Sequence, residues 1–119
     1  MNVADKLVVS TYDTITAEAA EAVQAYRSAD AARVTRPEYK RLIDLVQSLS
    51  EDDIEALKAL MVQRSIDAVC HFFSVMQGQT TIENMHDEDF SIYYGTEEVG
   101  RDILTNFLIL DERRRPEMF

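Results

Sequence analysis

Residues 50–78 read SEDDIEALKALMVQRSIDAVCHFFSVMQG, and this stretch decides the fold class. Ser50 is placed to cap a helix, with Asp53 three residues on as its reciprocal acceptor and Leu49 and Ile54 as a hydrophobic staple across the start. Glu51, Asp52 and Asp53 fall in the first turn, where the helix dipole favours negative charge, so this acid run has a structural cause. Ile54, Leu57, Met61, Ala68, Phe72 and Val75 form one apolar stripe; Leu60, Ile66, Val69, Phe73 and Met76 form a second. From Ile66 onward the segment is apolar on most sides, which predicts the central, most buried helix, stopped by Gly78.

Working outward, the same period governs the flanks. On the N-terminal side, Val8, Tyr12, Ile15, Ala19, Val23 and Tyr26 make a stripe, with Asn2 and Ser10 as candidate caps. The β-branched residues between Thr11 and Thr16 could break or start that helix. Thr35-Arg36-Pro37-Glu38 resembles a capping box, followed by a buried stripe of Tyr39, Leu42, Ile43, Val46 and Leu49. On the C-terminal side the period is lost from Gln79 to Gly95. Thr80-Thr81-Ile82 and Phe90 to Tyr94 have strand-like composition there, as a hairpin or a structured loop. Thr96 is then read as the cap of a last helix, with Glu97 and Glu98 in its first turn and Val99, Ile103, Phe107 and Leu110 as its stripe. Arg113, Arg114 and Arg115 lie at its favourable C-terminal end, and Pro116 stops it. The expectation is a mainly α chain: a single domain over 1–119, as a compact bundle of about four helices, with a short irregular or hairpin insertion before the last helix.

Composition narrows the function classes. With 119 residues, 46% of them apolar, the chain can bury a core without disulfides or metals. The one cysteine, Cys70, cannot form an intrachain disulfide and suits a reducing compartment. The longest apolar run, Phe107 to Leu110, is far short of a membrane span, and the opening residues do not resemble an export leader. These features predict a cytoplasmic protein. Net charge is −10, which disfavours direct nucleic-acid binding. Seven acids lie between Glu83 and Asp102 against one base, Arg101. Such a field accelerates association with a basic partner, and it also keeps small proteins soluble.

Catalytic groupings are sparse. His71 follows Asp67 by four residues in the long helix, which predicts a buried histidine bonded to a carboxylate. Cys70 and His71 are adjacent on a helix and point about 100° apart, a poor nucleophile–base pair. His86-Asp87-Glu88-Asp89 carries metal-ligating types but no known ligand spacing. Glu18 with Glu21, and Asp52 with Glu55, have the Glu-x-x-Glu spacing by which helical nucleotide pyrophosphohydrolases hold magnesium. That metal-dependent hydrolase is the alternative enzyme reading. A third is a homo-oligomeric bundle of structural role whose acidic surface serves solubility. No cofactor is called for.

The leading candidate is a recognition surface. Tyr93 and Tyr94 stand in the most acidic part of the chain, and tyrosine anchors interfaces well because it offers large area and a polar tip. If the segment is a strand, neighbouring tyrosines point opposite ways and one should be exposed. The candidate partner-binding residues are Asp87, Glu88, Asp89, Tyr93, Tyr94, Glu97 and Glu98.

Asp89 with Ile92-Tyr93-Tyr94 resembles the Asp-x-Ile-Tyr-Tyr-Pro segment of the small acidic immunity proteins that neutralise colicin-type nucleases. Here the aspartate lies one position further away, Gly95 stands in place of the proline, and the chain is longer at its N-terminal helix. The resemblance implies a four-helix, non-catalytic inhibitor of a basic toxin, with Tyr93 and Tyr94 as contact tyrosines and Asp89 as a supporting acid.

Overall fold

A computed structural model of the chain describes residues 2–77 and 91–118. The described chain is mainly α. Helix α1 spans Val3–Ser28, a short 3-10 turn covers Ala31–Arg33, α2 spans Pro37–Gln47 and α3 spans Glu51–Gln77. A two-stranded antiparallel sheet, β1 (Tyr93–Tyr94) and β2 (Glu97–Glu98), precedes α4 (Ile103–Arg114) and a final 3-10 turn, Pro116–Met118. Among the described residues, no helix is long and apolar enough to cross a membrane.

The long helices start where their caps dictate. The Asn2 Oδ1 accepts the Asp5 N–H at 2.8 Å, so Asn2, not Ser10, caps α1. The Thr11–Thr16 run does not interrupt it, because β-branched residues cost only tenths of a kcal/mol each in a helix. At α3, Ser50 Oγ accepts from the Asp53 N–H at 3.2 Å, and Ile54 is fully buried. For α2 the expected Thr35 cap is corrected. Pro37 occupies the first helical position, and the residue before a proline is pushed into extended backbone. Arg36, at φ −85°, ψ 124°, is therefore the half-in residue, and it makes no side-chain capping bond.

The structure divides into two compact units: Met1–Thr14 with Ile66–Phe119, and Ile15–Ser65. In the second, Val23, Val46 and Ile54 are buried together, with Tyr26, Leu49, Leu57 and Met61 packed around them. The Gln47 side-chain amide donates to the carbonyl of Ala29 at 2.8 Å, and to those of Tyr26 and Arg27 at 3.4 and 3.2 Å, satisfying acceptors that the end of α1 leaves open. Arg27 pairs with Glu51. On α2, Ile43 and Val46 carry the burial, whereas Tyr39 and Leu42, expected in the core, are exposed with Leu45. Arg36 lies over the Tyr39 ring at 5.2 Å.

In the other unit, Phe107 is fully buried between Tyr12 and Phe73, with ring centroids 5.5 Å away in both directions and an edge-on approach to Phe73. Val8, Ile66, Val75, Val99 and Ile103 are buried in the same unit. Gln77, the last residue of α3, accepts the Leu104 N–H at 2.8 Å and so caps the first turn of α4, where Asp102 makes no side-chain cap. The expected buried stripe of α3 through Ala68 and Phe72 is corrected: Phe72 is 55% exposed and Ala68 is exposed. Phe73 takes the core, and each neighbouring residue turns about 100° from it. Gly78, the expected stop, lies outside the described residues.

Candidate functional site

The candidate site is built on a turn that only glycine makes easily. Gly95 has φ 63°, the left-handed value that primed hairpin turns place at their first central position. Tyr94-Gly95-Thr96-Glu97 therefore folds back on itself, pairing Tyr94 with Glu97 and Tyr93 with Glu98. The ladder continues through the Val99 N–H, which donates to the Ile92 carbonyl at 2.8 Å. Val99 is buried and Ile92 half-buried, anchoring the hairpin's base. Gly100 is buried against Ile92, whose Cβ would stand 3.1 Å from any Cβ added there.

This geometry corrects the reading of Thr96, Glu97 and Glu98 as a helix start. Thr96 is in the hairpin turn, the glutamates form β2, and α4 begins only at Ile103. The hairpin partner of the tyrosines is thus the segment after them, and Thr80–Ile82 lie outside the described residues. Both tyrosines project into solvent, Tyr93 at 59% exposure and Tyr94 at 70%, where one exposed ring was expected. The base of the hairpin is packed but its tip is two residues beyond the core, so neither face of the tip is covered.

Directly opposed residues share a face of a sheet, so Tyr93 stands beside Glu98 and Tyr94 beside Glu97 on the other side. Both glutamates are exposed, and Glu98 lies 4.0 Å from Arg101. Tyr94 also borders a groove of about 350 Å³ whose other walls are Val3, Lys6, Leu7 and Ser10 of α1. Of the seven candidate residues the structure joins four: Tyr93, Tyr94, Glu97 and Glu98. Asp87, Glu88 and Asp89, with His86 and Phe90, lie outside the described residues.

The other candidate groupings that fall on described residues are dispersed or paired elsewhere. His71 is exposed rather than buried, because it lies about 200° around the helix from Phe73. The Cys70 thiol is pushed up to about 11 by burial, then by the nearby charges of Asp111 and Asp67, so it is a poor nucleophile at neutral pH. Glu18, Glu21, Asp52 and Glu55 are all exposed, and Glu55 pairs with Lys58. Among the described residues, no group of three or more His, Cys, Asp or Glu side chains could hold a metal ion.

Sequence reasoning missed one constellation. Asp111, 3% exposed, accepts the Tyr12 hydroxyl at 2.8 Å and holds Arg115 through Nε at 2.7 Å and Nη2 at 3.0 Å. Burial raises the Asp111 carboxyl, but the bonds from Arg115 and Tyr12 outweigh it and hold the group below the usual carboxylate range. Tyr12 is pushed up to about 12 by burial and by the carboxylate it faces. Arg114 pairs with Asp13 at 3.0 Å and lies 6.0 Å from the Tyr12 ring centroid. The arginine triplet is therefore more than a dipole-favoured end: two of its members are tied into the unit. A signal did exist, since Asp111 follows Ile103 and Phe107 at four-residue steps, an acid on the apolar stripe with Arg115 four residues beyond. At its centre Asp111 is buried. Compared with known proteins, the chain matches no family model, no curated protein and no solved structure.

Proposed function

We propose that this chain is a non-catalytic binding protein whose hairpin engages a basic protein partner, acting as an immunity or inhibitor protein does when it neutralises a toxin. The observation that carries the reading is the hairpin tip itself: two fully presented tyrosines, each with a glutamate directly across the strand pair. Tyrosine is among the residues that dominate interface energetics. The glutamates, within a chain of net charge −10, supply steering toward positive charge. A tight turn on a packed base presents the rings with little entropy left to lose on binding.

The test is a Tyr93→Ala/Tyr94→Ala double variant. Both residues are exposed, so stability should change by no more than about 0.5 kcal/mol per site. Binding to a partner isolated on the wild-type chain should weaken by roughly 100-fold or more, as for paired interface anchors. Wild-type affinity should also fall as salt is raised, through the association rate. A folded double variant with undiminished affinity would remove the hairpin from the interface.

A further inference from the structure

The binding reading leaves open which side of the hairpin meets the partner, and the structure treats the sides differently. Tyr94 and Glu97 share one face, Tyr93 and Glu98 the other. Only Tyr94 of the two tyrosines borders the groove at the start of α1. Its α1 walls, Val3, Lys6, Leu7 and Ser10, follow at three, one and three residues, a single helix face distinct from the Val8, Tyr12, Ala19 and Val23 stripe that α1 buries. Val3 and Leu7 are half-buried and give the groove an apolar side, with the exposed Lys6 and Ser10 at its edge. At about 350 Å³ the groove stands at the lower end of ligand-pocket sizes, room for one large side chain.

We propose, resting on the binding reading, that the Tyr94–Glu97 face together with this groove is the docking side, and that the partner's epitope is an apolar side chain flanked by lysine or arginine. The apolar residue enters between Tyr94 and Leu7; the flanking cation pairs with Glu97, which stands directly across from Tyr94. Charge complementarity selects this occupant: the chain is strongly acidic, and the face joins a carboxylate to an apolar slot. A lysine lines such a slot with its methylene stem while its ammonium stays in water, so Lys6 does not close it. Tyr93, on the opposite face beside Glu98, does not line this groove.

The full chain, labelled with nitrogen-15, is titrated with two pentapeptides: phenylalanine between two pairs of lysines, and alanine in the same frame. Amide shifts should concentrate at Val3, Leu7, Ser10, Tyr94 and Glu97, with the phenylalanine peptide binding about tenfold more tightly than the alanine one. Ser10→Tyr, at an exposed position, fills the groove without changing charge and should erase that tenfold preference. Equal affinity for both peptides, with shifts confined to Glu97 and Glu98, overturns the groove while leaving an acidic hairpin that binds basic proteins. Absence of any hairpin perturbation by either peptide overturns both readings.

Discussion

Replacing Arg115 with methionine isolates the one buried charge of the described chain. Methionine keeps the unbranched apolar stem and removes both bonds to Asp111, leaving a carboxylate that is 3% exposed with the Tyr12 hydroxyl as its remaining side-chain donor. Breaking a buried pair by deleting one partner costs about 3–5 kcal/mol, because the other charge stays buried without compensation. Small proteins have only about 5–15 kcal/mol of stability in total. With a urea slope of about 2 kcal/mol per molar, the unfolding midpoint, followed by circular dichroism at pH 7, should drop by about 2 M. The pH dependence adds a sign. In the wild type the folded carboxyl lies below its unfolded value, so its contribution is present above about pH 4, the unfolded value, and is lost as pH falls through the folded one. In the variant burial dominates and the folded carboxyl rises above its unfolded value, so acidification from pH 7 toward 5 should narrow the gap to wild type. A midpoint shift below about 0.5 M at pH 7, or a gap that does not narrow between pH 7 and 5, would refute the assignment of Asp111 as a buried, arginine-compensated anion.

Tyr12→Phe removes a hydrogen bond to that same carboxylate and should cost about 1.5–3 kcal/mol in the same denaturation assay. Because Tyr12 is pushed up to about 12 in the folded chain, above the ordinary value of 10, its contribution is complete below pH 10 and is lost as pH rises through 12; absorbance at 295 nm should lose a tyrosine step near pH 12 in the variant. Ile54→Ala should cost about 2–5 kcal/mol, whereas Leu42→Ala, at an exposed position one residue from Ile43, should stay within about 0.5 kcal/mol. Gly95→Ala forces a side chain into the left-handed region and should cost about 1–2 kcal/mol, visible as lost protection of the Val99 amide in hydrogen exchange; an unchanged exchange rate would mean the turn does not depend on glycine.

Local chemistry was readable where the deciding groups are neighbours in sequence. Ser50 and Asp53, Leu49 and Ile54, and the Ile103–Phe107 stripe needed nothing beyond one or two helical turns, and each stands as the residues predict. Errors came where two local rules competed. Thr35-Arg36-Pro37-Glu38 satisfied the capping-box pattern, but the proline restricts its predecessor and moved the half-in position to Arg36. Thr96-Glu97-Glu98 satisfied a helix-start pattern equally well, yet Gly95 sits where a two-residue hairpin wants it, and pairing with Tyr93 and Tyr94 prevailed. Within apolar runs such as Phe72-Phe73 and Leu42-Ile43, periodicity marked a face but not which of two adjacent side chains would own it.

The amino-acid order alone determined the mainly α class, the start of α3 at its Ser50 cap, and the tyrosine-and-acid segment as the place to look for a binding surface; that α1 runs unbroken from its Asn2 cap was decided by the structure. The features determined by the order alone rest on interactions spanning a few residues, whose energies are set before the chain folds. Tertiary structure decided the rest: that both tyrosines stand in solvent, that Tyr94 and not Tyr93 meets the groove on α1, and that Asp111 finds Tyr12 across 99 residues of chain. No local propensity encodes such meetings, because burial and hydrogen bonding at those positions depend on which distant element arrives there.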